Sequence, residues 1–174
     1  MRILLNALVP SHLRPMVPLT WALRAAGHEV VVAADEPVVS TALAAGLDTR
    51  RVVLPAEPPG GEPPTGPDGR AVPEELLRRK MAEAQAHMMD FVGFVRAYRP
   101  DLVLTDPIAY AGYVAAGLAG APLVVHRWGV YASTEQIHQA AKQVLNPICE
   151  QLGIAGGLPD PTLVLDPSPP SMRY

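Results

Sequence analysis

Two residues of this chain, His12 and Asp106, combine useful chemistry with a meaningful place in the sequence. His12 follows the apolar run Ile3 to Leu8, and Asp106 follows a second run, Asp101 to Thr105. If both runs are neighbouring parallel strands, the imidazole and the carboxylate meet at one sheet edge. A carboxylate that accepts from one ring nitrogen fixes the tautomer and stabilises the imidazolium, leaving the other nitrogen to take a proton from a hydroxyl. That is a general-base dyad. Position alone also allows a plainer assignment, with His12 packed at a helix start and Asp106 forming a turn before Pro107.

Other constellations are weaker. A metal set of His12, Asp106 and His126 lacks the i, i+3 or i, i+4 ligand spacing. Ser11 lies in no G-x-S-x-G elbow and directly precedes His12, a poor geometry for proton transfer. The lone Cys149 has no basic neighbour in sequence and reads as a small buried hydrophobe. His28 falls in a turn on the opposite edge, while His87 and His138 lie on helices, so these three are expected to be structural or solvated.

The elements that must position the dyad follow from periodicity. The strand Ile3 to Leu8, a loop carrying Ser11, His12 and Arg14, a helix Met16 to Ala26, a turn at Gly27 and a strand Val30 to Ala34 make a βαβ unit. Ligands of open α/β sheets bind where the strands end. Pro18 is tolerable only if the helix begins near Met16, where amides have no helical partner. The loop Val9 to Pro15 has no glycine and the chain has no P-loop, so it offers no cradle for NAD, FAD or ATP phosphates.

A helix Pro37 to Ala45 stops at Gly46, and Arg51 to Leu54 reads as a third strand. Pro55 to Pro73 holds seven prolines and four glycines, too little apolar surface to order itself. It is a long loop, either a plain insertion or a substrate-facing segment. Glu74 to Tyr98 reads as one helix through Leu77, Met81, Ala84, Met88, Phe91, Val92 and Val95, with Met88 facing either a core or an apolar pocket.

Beyond the fourth strand come a helix Ala109 to Leu118 and a fifth strand, Pro122 to Val125, which runs into His126, Arg127, Trp128 and Gly129. Ser133 to Gln136 forms a capping box opening a helix that Pro147 kinks or ends, and Thr162 to Leu165 is a sixth strand. The expected architecture is a Rossmann-like, doubly wound parallel α/β sheet in the order 3-2-1-4-5-6.

With 174 residues, 49% of them hydrophobic, the chain suits one domain spanning 1–174. The net charge of −3 and the scattered arginines argue against nucleic acid as a partner. A single cysteine excludes an internal disulfide and a cysteine-based zinc cluster. No signal-type h-region and no run of 18 apolar residues occur, so a cytoplasmic protein without membrane partners is expected.

The stretches MRILLNALVPSHLRPMVPLTWALRAAGHEVVVAA, PDLVLTDPIAYAGYVAA, APLVVHRWGVYAS and LDPSPPSMRY resemble the acceptor-binding N-terminal domain of GT-B glycosyltransferases of antibiotic and natural-product pathways. The resemblance implies that His12 deprotonates an acceptor hydroxyl with Asp106 as its partner. It implies an inverting transfer with no metal required and no cofactor beyond a nucleoside diphosphate sugar as co-substrate, commonly a deoxyhexose on dTDP. Ser11, Arg14, Met88, His126, Arg127, Trp128 and Tyr131 then become the acceptor-facing set. Trp128 either stacks on a flat aglycone or packs at the sheet edge.

Val130 and Tyr131 follow the W-G pair where similar sequences often carry an acidic residue, which puts that carboxylate's contact in doubt. A C-terminal, donor-binding domain would lie beyond Tyr174, making the chain half an enzyme, inactive alone. Its exposed half-cleft would be covered by that domain or by a second copy in a homodimer. Two alternatives remain: a free-standing module that binds a small molecule or a protein, and a hydrolase using the same pair.

Overall fold

In the computed structural model, residues 1–52, 91–129, 134–169 and 171 are described. The expected loop Pro55 to Pro73, the first part of the helix expected from Glu74, and the candidates Met88 and Tyr131 lie outside the described residues. Six strands form one sheet in the order β3-β2-β1-β4-β5-β6. They are β1 (Arg2–Asn6), β2 (Glu29–Ala34), β3 (Asp48–Arg51), β4 (Leu102–Thr105), β5 (Leu123–His126) and β6 (Leu163–Leu165). Every neighbouring pair is parallel, as expected for βαβ crossovers.

Side chains alternate across the pleat and feed two cores. Ile3 and Leu5 of β1 pack with Val30, Val32, Leu13, Met16 and Val38 on one face. Leu4 packs on the other with Val103, Phe91, Tyr110, Leu145 and Cys149. The first face is covered by α1 (Pro10–Leu13), α2 (Val17–Ala25) and α3 (Glu36–Ala44). The second is covered by α4 (helical over 91–98), α5 (Tyr110–Ala119) and α6 (Thr134–Gln151). Cys149 and His138 are buried, in keeping with their expected structural character.

Four boundaries differ from expectation by more than one residue. β1 stops at Asn6 rather than Leu8, because the Leu8 amide donates to the Asp106 carboxylate instead of to a strand. Helix begins at Pro10, not Met16: α1, a 3₁₀ turn (Arg14–Met16) and α2 follow one another, so Ser11 and His12 sit on a helical turn rather than in a loop. Pro10, Pro15 and Pro18 each occupy one of the first two positions of these pieces, where a missing amide costs nothing. The third strand is Asp48–Arg51, three residues early; it is a polar edge strand with mostly exposed side chains, so it carries no apolar signal. Finally, α6 runs through Pro147 to Gln151. An interior proline costs about 3 kcal/mol, which the burial of Ala141, Leu145 and Cys149 on one face offsets.

Candidate active site

The dyad is assembled from two adjacent strands. β1 and β4 pair through Asn6 and Thr105, and the chain beyond each is diverted into a polar turn at the sheet's C-terminal edge. Asp106 is fully buried there. Its Oδ1 accepts from the Ile108 amide at 2.8 Å, and its Oδ2 accepts from the Leu8 amide at 2.8 Å. The same Oδ2 lies 3.1 Å from His12 Nδ1. A buried carboxylate needs such donors, and here two of the three are backbone, fixed by the fold itself.

Close approach of α5 to β4 secures the turn. The Thr105 hydroxyl donates to the Ala109 carbonyl at 3.2 Å, and the Tyr113 hydroxyl donates to the Pro107 carbonyl at 3.2 Å. Gly112 is required at this contact, because a Cβ there would stand 2.4 Å from Thr105 Oγ1.

His12 occupies the third position of α1, its amide donating to the Val9 carbonyl at 3.0 Å. Its side chain is 14% exposed, enough for one edge of the ring to be reached from outside. Because an ionised carboxylate only accepts, the ring proton belongs on Nδ1 and Nε2 keeps a lone pair on the far edge. The Trp128 ring lies flat on the imidazole, with centroids 4.3 Å and planes 13° apart.

The remaining expected site residues distribute unevenly. Ser11 and Arg14 are exposed beside His12 on the same helical segment. His126, the last residue of β5, is buried, its imidazole pushed below the ordinary value by that burial. Arg127 continues the β5–β6 ladder, its amide donating to the Leu165 carbonyl at 2.9 Å, and its guanidinium binds Asp166 at 3.0 Å. The Ser168 amide, followed by the Ser168 side chain and Arg127, holds the Asp166 carboxyl below the usual carboxylate range. Arg127 thus braces the segment that carries Trp128.

Sequence reasoning missed the Leu8 and Ile108 amides, which no side-chain pattern reports. It also missed Asn6, an amide buried at the end of an apolar strand, whose Nδ2 donates to the Ala33 carbonyl at 2.8 Å. A second imidazole–carboxylate contact, His138 to Asp160 at 2.9 Å, ties α6 to the chain before β6, with Lys142 on the same carboxylate oxygen. Among the described residues, no three His, Cys, Asp or Glu side chains are grouped to hold a metal ion, and no helix is long and apolar enough to cross a membrane.

A parallel sheet whose order reverses at β1 and β4 defines a Rossmann-like domain, here of the kind that forms the N-terminal half of GT-B glycosyltransferases. The chain belongs to the family described as "Erythromycin biosynthesis protein CIII-like, N-terminal domain", whose family model matches residues 68–174.

Relatives agree with that assignment. The chain is 37% identical to L-demethylnoviosyl transferase of Streptomyces niveus, over 99% of this chain and 46% of that protein. It is 34% identical to 10-deoxymethynolide desosaminyltransferase of Streptomyces venezuelae, over 74% of this chain and 36% of that protein. Among solved structures, spinosyn rhamnosyltransferase SpnG complexed with spinosyn aglycone superposes with a TM-score of 0.83 at 35% identity, covering 100% of this chain and 47% of that one. The same enzyme complexed with thymidine diphosphate gives a TM-score of 0.82. The chain spans about half the length of the relatives it matches, and corresponds to their N-terminal part.

Proposed function

We propose that this chain is the acceptor-binding half of a glycosyltransferase that moves a sugar, a deoxyhexose carried on dTDP, to a hydroxyl of a natural-product aglycone. The observation that carries the proposal is the 3.1 Å contact between His12 Nδ1 and the buried Asp106 carboxylate at the switch edge. The names of the relatives support the substrate classes: one is a desosaminyltransferase, and one solved relative was complexed with its aglycone and with thymidine diphosphate.

In this reaction the acceptor hydroxyl gives its proton to His12 Nε2 while its oxygen attacks the anomeric carbon. The carbon–oxygen bond to the diphosphate breaks, and the nucleoside diphosphate leaves with the bonding pair. Attack opposite the leaving group inverts the anomeric centre. Asp106 holds the imidazole in the reactive tautomer and offsets the charge it gains. The donor nucleotide is held outside this chain, by a second domain, and the chain alone does not turn over.

The test is turnover by the whole enzyme that carries this chain, supplied with dTDP-sugar and aglycone. His12→Ala is expected to lower kcat by about 10² to 10⁴ fold with circular dichroism unchanged. Unaltered turnover would remove His12 from the mechanism.

A further inference from the structure

One hydrogen bond does not orient an imidazole. The contact from His12 Nδ1 to Asp106 leaves the ring free to swing about the axis of that bond, and such a swing carries Nε2 away from any fixed acceptor position. Trp128 opposes this motion, because its ring lies flat on the imidazole, 4.3 Å away and within 13° of parallel.

We infer that Trp128 is a positioning residue for His12: it sets the plane of the ring whose in-plane direction Asp106 sets. The inference rests on the reading of His12 as the base. β4 and β5 are neighbours in the sheet, so the turns beyond them grip one ring from two directions, β4 at the Nδ1 edge and β5 on the face.

The gripping segment is itself braced. The Arg127 amide bonds the Leu165 carbonyl, its guanidinium bonds Asp166, and Asp166 accepts the Ser168 amide at 2.9 Å. The sixth strand and the turn after it therefore act on His12 through Trp128. One face of the indole is occupied by the imidazole, so stacking on an aglycone is left only to the other face.

A stacked aliphatic side chain cannot fix a plane as a flat ring does, and misplacing a reacting group by about 1 Å can cost 10²-fold in rate. In the whole enzyme, Trp128→Leu is expected to lower kcat by about 10 to 10² fold while the acceptor KM stays within about twofold, and Trp128→Phe, which keeps a flat ring, recovers most of kcat. A rise in KM at unchanged kcat would overturn the inference in favour of an acceptor wall.

Nitrogen-15 NMR relaxation of the His12 ring in the whole enzyme gives an independent reading. The Nδ1–H tautomer that Asp106 sets is expected in every variant, with a rigid ring in the parent and in Trp128→Phe and a mobile ring in Trp128→Leu; an equally rigid ring in Trp128→Leu would overturn the inference. If Trp128→Leu does not fold, Trp128→Met takes its place with the same expectations. Loss of the parent reading is distinguishable: there His12→Ala turns over normally, whereas failure of this inference alone leaves His12→Ala inactive and both Trp128 variants fully active.

Discussion

Asp106 and His126 end adjacent strands, yet their surroundings ask opposite things of them. Asp106 is buried among two amides and an imidazole, so its charge has partners in every direction that matters. His126 is buried with an Nδ1 that meets no hydrogen-bond partner among the described residues, and desolvation lowers its pKa from the ordinary 6.5. In the unfolded chain His126 takes up a proton as the pH falls through about 6.5, while in the fold it does so only at lower pH. Its contribution to stability is therefore complete above pH 6.5 and declines as the pH falls from there toward the folded midpoint. His126→Gln removes this titration, so the parent's melting temperature is expected to fall more steeply than the variant's between about pH 6.5 and 5. Parallel melting curves across that range would show that His126 titrates alike in both states.

At the scale of elements, the site depends on how close α5 comes to β4. A Cβ at Gly112 would meet Thr105 Cβ at 2.7 Å as well as its hydroxyl, on a strand that cannot yield without moving Asp106. Gly112→Ala is expected to destabilise the protein by about 1–3 kcal/mol and to lower turnover, since it displaces the turn that holds the carboxylate. Gly117→Ala meets the Ile154 methyl Cγ2 at 2.7 Å, a side-chain end able to rotate, so the cost in denaturant titration is expected to be smaller. Equal costs would mean that α5 shifts as a rigid rod. The strand order and the meeting of His12 with Asp106 are legible in the sequence, because long apolar runs alternating with helices leave few topologies open. The exit from β1 is less so, since Leu8 looks like strand until its amide finds Asp106. The helical turn under His12 is hidden by three prolines that read as loop, and β3 is hidden by its polarity. Trp128 over His12 depends on a long-range contact that spacing along the chain does not encode.

Across the whole molecule, all six strands deliver their ends to one edge, and the described residues gathered there fit the proposed hydroxyl-bearing acceptor better than a nucleotide. A diphosphate is bound where backbone amides converge at a helix start reached through glycines. Here the turn after β1 has none, and α1 is a single turn that opens on Pro10, which has no amide to offer. The crevice lined by Asn6, Leu8, Asp35 and Tyr110 is small, and an acidic residue, Asp35, stands at its border. The chain's net charge of −3 adds repulsion rather than attraction. This chain alone is therefore expected to bind dTDP with a Kd weaker than about 1 mM, less than roughly 4 kcal/mol of binding free energy, while still showing measurable aglycone binding by calorimetry or by quenching of Trp128 fluorescence. A micromolar dTDP affinity in the same titration would put the nucleotide site inside these 174 residues, and the division of labour proposed here, acceptor in this half and donor in another, would have to be abandoned.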